Sequence, residues 1–346
     1  MNVPEKAPNS QSRLFKLIEN SYKSEIPLAD EVAKALCISA NSAYRRIRND
    51  TALTLDECQK LAEYFGVSLD EAVKVTSNKN INFHFEKFDQ SNFNAYLDFI
   101  DKEFGRRLSD DMHHTTLTAK DIPSFYFFLF PELLIFKAYY YARVMWSLNA
   151  FVDIPFDYHN ISTVLEMLIV DLKPKGKKIT ESYVLFPTIE VWNEYTIDGH
   201  LQHIKYAWET GYFANKENAL LIIQRTEDLI AHIKQQAICG QKFLVNDAQN
   251  KGATYDLYYS EGIQLENTIL TTWEHAQNTY IIYNTGDYLI TSDEHFCNRV
   301  RTYFENMKSR SGLVSRYSEK ERNRLFSKMQ QKIEALRAEI TKYIVN

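Results

Sequence analysis

Leu28-Ala-Asp-Glu-Val-Ala-Lys-Ala-Leu36, a short break at Cys37-Ile38, then Ser39-Ala-Asn-Ser-Ala-Tyr-Arg-Arg-Ile-Arg48 is the stretch on which the reading of the chain turns. Leu28, Val32, Ala33 and Leu36 recur at the spacing that puts them on one helical face. Ser39 is placed to cap a second helix by accepting from a free backbone N–H of its first turn. Downstream, Thr54-Leu-Asp-Glu57 and Ser68-Leu-Asp-Glu71 are capping boxes, and each predicts a further short helix. The first runs through Leu61, Ala62 and Phe65 and stops at Gly66, which suits a helix end. Arg13 to Tyr22, with Leu14, Leu17 and Ile18 apolar, predicts the opening helix, and residues 1–9 read as a loose leader.

In this order the elements make a helix-turn-helix and resemble the lambda-repressor-like (Xre-type) DNA-binding domain. Ala33, Leu36, Ile38 and Ser39 match that family's Ala-x-x-Leu-Gly-Val-Ser. Leu55 to Leu69 matches its closing Leu-x-x-x-x-x-Leu-Ala-x-x-Phe-Gly-Val-Ser-Leu. Cys37 stands where the family's turn glycine is usual, and Asn49-Asp50 where Glu-Asn-Gly is common. The resemblance covers residues 10–77, about a fifth of the chain. It implies a bacterial transcription regulator whose partner is double-stranded DNA.

The residue types fit that partner. Phosphates are held by arginine, lysine, hydroxyls and backbone N–H groups, whereas sequence is read at base edges in the major groove. Asn41, Ser42 and Arg45 share an outward face near the start of the second helix, with Arg45 suited to guanine and Asn41 to adenine. Tyr44, Arg46 and Arg48 are placed for phosphates, Ser39 completes the candidate DNA-contacting set, and Ala43 and Ile47 turn inward. The alternative is a solvated basic helix in a protein-interaction bundle.

Composition narrows the rest. A length of 346 residues predicts two or three domains, and with 45% hydrophobic and 14% aromatic residues the chain can bury ample core, so disorder is not the default. Cysteines 37, 58, 239 and 297 make no Cys-x-x-Cys pair and no zinc-ligand spacing, so reduced thiols and a cytoplasmic location are expected. The polar start Met-Asn-Val-Pro-Glu-Lys predicts no secretory signal. The net charge of −5 is unevenly spread. Residues 1–78 carry ten Lys/Arg against eleven Asp/Glu, residues 79–298 eighteen against twenty-nine, and residues 299–337 eleven against four. An acidic body repels DNA, which leaves contact to the terminal domain and the basic tail.

The expected fold is multidomain: an all-α helix-turn-helix domain (10–77), a helical aromatic-rich region (83–178) and an α+β domain with antiparallel strands (179–346). Thr76 to Asn82 is polar, without periodicity, and marks the first boundary. A helix with Phe93, Tyr96, Leu97, Ile100 and Phe104 ends near Gly105. Pro123 to Ala150 is the most apolar stretch, but Pro131, Glu132, Lys137 and Arg143 interrupt every window of about 20 residues that a membrane span needs. Buried helices, or a surface for a second subunit, are the alternatives. Tyr158 to Leu172 predicts a helix closed by an exposed turn, Lys173-Pro-Lys-Gly-Lys-Lys178. Ser182 to Tyr195 alternates as a strand, and His200–Glu209 and Ala219–Ile238 read as helices. Tyr255–Tyr259, Thr268–Trp273, Thr279–Tyr283 and Tyr288–Thr291 are predicted strands, the last two joined by a hairpin at Asn284–Asp287. Ser318 caps a final helix whose Leu325, Met329, Ile333, Leu336, Ile340 and Tyr343 approach a heptad seam. Packing of that helix on the sheet of its own domain is the alternative to a seam, and dimerisation through the seam or through Pro123–Ala150 is expected.

Catalytic signatures are missing: no Gly-x-Gly-x-x-Gly, no Gly-x-x-x-x-Gly-Lys-[Ser/Thr], no Gly-x-Ser-x-Gly and no His-Glu-x-x-His. His113-His114 point apart, and no cofactor or metal is expected. His203-Ile-Lys205 and His232-Ile-Lys234 reproduce the His-x-Lys of phospholipase D-like enzymes. The aspartate those enzymes need five residues on is Thr210 in one and Cys239 in the other. The tail after Thr279 resembles effector domains that use an inactive version of that fold. Lys308, Arg310, Arg316, Lys320 and Arg322, around Ser309 to Ser315, are the candidate set for a small anionic effector, with a surface ion-pair lattice as the competing reading. The functional expectation is a DNA-binding regulator with a sensing or dimerising body. The alternative is an enzyme or docking module recruited by its helix-turn-helix.

Overall fold

The computed structural model describes residues 9–22, 24–73, 81–88, 93–109, 114–162, 166, 170, 172–247, 251–274, 276–284 and 286–342. Most of the leader, most of Thr76–Asn82, His113, the middle of the Tyr158–Leu172 helix and Tyr343 lie outside the described residues. The chain divides into two compact units, Met1–Asn82 and Phe83–Asn346.

The small unit comprises α1 (Ser10–Ser21), α2 (Leu28–Leu36), α3 (Ala40–Ile47), α4 (Leu55–Phe65) and α5 (Leu69–Val73). Leu14, Phe15, Ile18, Val32, Leu36, Ala43, Leu61 and Ala72 form its core. The Thr54–Glu57 capping box has both halves: Thr54 Oγ1 accepts from the Glu57 N–H at 3.2 Å and Glu57 Oε2 accepts from the Thr54 N–H at 3.0 Å. Ser68 precedes α5, and the side chain of Glu71 lies outside the described residues. Arg13 Nε donates to the Ala72 carbonyl at 2.7 Å and ties α1 to α5.

Cys37 shows why the turn works without glycine. It sits in the left-handed region, φ 53° and ψ 46°, and the Ile38 N–H reaches back to the Ala33 carbonyl at 3.0 Å, closing the helix end. A side chain in that conformation costs about 1–2 kcal/mol, of which glycine would recover the larger part after about 0.4–1 kcal/mol of extra unfolded-chain freedom. Cys37→Gly is therefore expected to stabilise the small unit by about 0.5–1 kcal/mol. Slower amide exchange across α2 and α3 in the full-length protein would register the gain; faster exchange would contradict it.

The large unit is built on β1 (His84–Glu86), β2 (His114–Thr118), β3 (Thr188–Trp192), β4 (Tyr255–Tyr259), β5 (Thr268–Thr272), β6 (Gln277–Ile282), β7 (Tyr288–Thr291) and β8 (Gly312–Leu313). Among the described residues these make one sheet in the order β1-β7-β6-β5-β2-β3-β4-β8. The sheet is mixed where antiparallel strands were expected: β2, β3 and β4 run parallel. Parallel neighbours need long crossovers. The β2–β3 connection holds a 3₁₀ segment (Ser124–Leu129), α7 (Pro131–Tyr140), a π turn (Tyr141–Met145) and α8 (Leu172–Tyr183). The β3–β4 connection holds α9 (Asp198–Glu209) and α10 (Lys216–Cys239). Short links leave β5, β6 and β7 antiparallel.

Several expectations change. The boundary placed between 178 and 179 falls inside α8, and β2 pairs with both β3 and β5, so 83–178 and 179–346 share one sheet and one core. The run Lys173 to Lys178 is not a turn but the start of α8. Pro174 is tolerated in a first turn, where its missing N–H has no intrahelical partner to lose. Gly176 allows close approach to α7, since a Cβ there would lie 3.0 Å from Leu134. Lys175 and Lys178 reach Asp98 and Asp101, each at 2.6 Å, on α6 (Phe93–Ser109), which continues past Gly105. The strand expected over Ser182–Tyr195 is only β3.

The aromatic segment packs inward: Phe125 to Phe128, Leu133 to Phe136 and Ala138 to Tyr140 are buried in the unit's own core. No helix among the described residues is long and apolar enough to cross a membrane. Helix α11 (Glu294–Ser309) covers β5 and β6, and α12 (Glu319–Lys342) lies on α10 with Leu325, Met329, Ile333, Leu336 and Ile340 buried. Both surfaces expected to mediate dimerisation are thus largely used within the chain.

Candidate nucleic-acid interface

Helix α3 is held at three points. Ala43 is fully buried against α2, and Ile47 packs on the same core. Ser39 accepts from the Ser42 N–H at 3.3 Å, and the two hydroxyls lie 2.9 Å apart. At the far end Asn49 turns into the left-handed region, φ 63°, while the Asp50 and Thr51 N–H groups close on the Arg45 carbonyl.

The candidate residues then separate. Ser39, Asn41, Tyr44, Arg45 and Arg48 are exposed and Ser42 is half-buried. Asn41 and Arg45, four residues apart, share one outer face. Arg48 lies over the Tyr44 ring at 5.9 Å, which makes a single cationic, flat-sided patch one turn further on. Arg46 is placed differently. Its guanidinium donates to Glu57 Oε1 from Nε (3.1 Å) and Nη2 (2.7 Å), and to the Ser42 carbonyl from Nη1 (3.3 Å). That hydrogen bonding holds the Glu57 carboxyl below its usual range. The pair braces α3 against α4.

Gln11 escaped the reading of the sequence. Its Nε2 donates to the carbonyls of Arg46 (2.7 Å) and Thr51 (2.9 Å), and its Oε1 accepts from the Leu53 N–H at 2.9 Å. One amide from α1 therefore fixes the loop after α3. A glutamine on the polar side of an amphipathic pattern carries no signal of such a role.

Residues 29–71 match the helix-turn-helix family. This segment is a lambda-repressor-like helix-turn-helix. The match supports a DNA-binding transcription regulator. No curated protein and no solved structure matches the chain.

The basic tail is laid along the acidic body. Arg316 pairs with Asp256 (2.7 Å), Arg324 with Glu261 (2.9 Å), Lys328 with Glu194 (2.9 Å), Lys332 with Asp198 (2.7 Å) and Arg337 with Glu227. Of the five effector candidates, Lys308 binds Glu305 at 2.8 Å, and Arg322 is buried and donates to the Val314 and Arg316 carbonyls. Arg310 and Lys320 are exposed. The set does not converge on one pocket. The two His-x-Lys motifs also part company: His203 meets Lys137, and His232 Nε2 donates to the Phe243 carbonyl at 3.0 Å.

Proposed function

We propose that the chain is a sequence-specific transcriptional regulator that acts in the cytoplasm as a homodimer on double-stranded DNA, with Phe83–Asn346 sensing a small molecule and performing no catalysis. The observation that carries this reading is the two-sidedness of α3: its inner face is locked by Ala43, Ile47 and Arg46, while Asn41 and Arg45 stand free on the outer one. In the complex Arg45 forks onto guanine, Asn41 onto adenine, and Ser39, Ser42, Tyr44 and Arg48 hold phosphates. Arg46 contributes indirectly, by fixing the pitch of α3. One short helix reads few base pairs, so a second half-site about 34 Å away accompanies the first. Because Pro123–Ala150 and α12 face largely inward, pairing uses other surface.

Selection of genomic fragments with the purified protein, with and without cell extract, tests the reading. Recovered fragments should share one sequence pattern, repeated as half-sites. Recovery of an unenriched, random collection would sink it.

A further inference from the structure

A cavity of about 390 Å³ opens in the large unit between α7, α9 and the hairpin that joins β6 to β7. That is within the size range of sites for small organic molecules. Its walls include Phe93, Tyr96, Tyr141 and Trp146, but its polar groups decide its character. Lys137, on α7, is only 6% exposed, with Nζ 4.6 Å from the centre of the Phe127 ring. An ammonium has three N–H donors. Among the described residues Lys137 has one hydrogen-bond acceptor, His203 Nδ1 at 3.0 Å. When Lys137 is charged it must donate that bond, and His203 Nδ1 then accepts as a neutral imidazole. Burial pulls Lys137 down to about 7, against a smaller opposing pull from Asp121.

His200 lines the same cavity and is 2% exposed. Its Nε2 lies 2.9 Å from Thr226 Oγ1, and the Thr226 hydroxyl gives its own proton to the Ile222 carbonyl at 2.8 Å. Thr226 must therefore accept from His200 Nε2–H, which leaves Nδ1 as a bare acceptor. Among the described residues no partner meets that buried nitrogen. A buried polar atom without a partner is costly.

We propose that this cavity is the effector site, and that it takes a small aromatic carboxylic acid whose carboxylate pairs with Lys137 and whose ring lies among Phe93, Tyr96 and Trp146. The carboxylate supplies the acceptors that the buried ammonium lacks and adds to the pull of Asp121, which also lines the cavity but, among the described residues, makes no ion pair with Lys137. The proposal deepens the sensing role given to this unit. Its test needs no DNA, so it stands or fails apart from DNA recognition.

Full-length protein is titrated with benzoate, salicylate, 4-hydroxybenzoate, indole-3-carboxylate and indole-3-acetate, and with the neutral amide of each, following tryptophan fluorescence and melting temperature. At least one acid should bind and raise the melting temperature, with its amide at least tenfold weaker. Lys137→Met fills the same space without the charge and should keep the fold while weakening that acid at least tenfold. Trp146→Phe, titrated to saturation as followed by calorimetry, should lose most of the fluorescence change, which places the ligand at this wall. The proposal is overturned if none of the acids binds, if amide and acid bind alike, if Lys137→Met binds as tightly as the parent, or if Trp146→Phe keeps the full fluorescence change.

Discussion

Glu190→Ala should destabilise the large unit by about 3–5 kcal/mol, the range for breaking a buried charged network by removing one member. Glu190 is fully buried on β3. Its carboxylate accepts from the Tyr126 hydroxyl (2.9 Å), Trp192 Nε1 (2.9 Å), the Tyr255 hydroxyl (3.4 Å) and the Tyr183 hydroxyl. Lys242, also fully buried, donates to the Tyr183 carbonyl at 3.0 Å with its ammonium 3.3 Å from the centre of that ring. Burial drives the Glu190 carboxyl upward; Lys242 and the donors pull it back. Alanine would remove the acceptor for all four donors. Glu190→Gln keeps the shape but turns one acceptor into a donor among donors, so it should still cost about 1–3 kcal/mol. All four tryptophans, at 146, 192, 208 and 273, lie in this unit, so their fluorescence during urea unfolding of the whole chain reports it directly. A loss below about 1 kcal/mol for alanine would contradict a network of this weight.

The second large effect concerns DNA. Arg45→Ala should cost about 1–3 kcal/mol at the preferred site and relax the choice of base there. Arg48→Ala should weaken all sequences alike and lower the salt slope by roughly one. Arg46→Ala separates reading from bracing: it removes the donors to Glu57 and Ser42, so it should lower the stability of the small unit as well as affinity. Equal, sequence-independent losses for Arg45 and Arg48 would remove the assignment of Arg45 to a base edge.

The small unit was largely legible because its signals are local. Caps such as Ser39 and Thr54, the stop at Gly66 and the face formed by Val32 and Leu36 each act within a few residues. The role of Arg46 was not legible, since its partner Glu57 lies in the next helix and nothing in the run Tyr44 to Arg48 distinguishes one arginine from another. The large unit hid more. Pairing of β2 with β3 and β5 joins segments far apart in sequence, and that register is set by packing and not by pattern. Lys173 to Lys178 read as a turn because a proline and a glycine punctuate it, yet Asp98 and Asp101 give its lysines a helical place. In the sequence Lys137 is only a break in an apolar run. The cavity it serves is made by segments far apart in sequence, among them α9 and the β6–β7 hairpin.

The most direct test of DNA reading by α3 is an anisotropy titration of one selected duplex and a scrambled duplex of equal length, at one fixed salt concentration, with the parent protein and Arg45→Ala. The parent should prefer the selected duplex by about a thousandfold or more. Arg45→Ala should lose roughly 5- to 150-fold on that duplex while its binding to the scrambled one changes far less. Equal affinity of the parent protein for the two duplexes would contradict sequence-specific recognition through this helix.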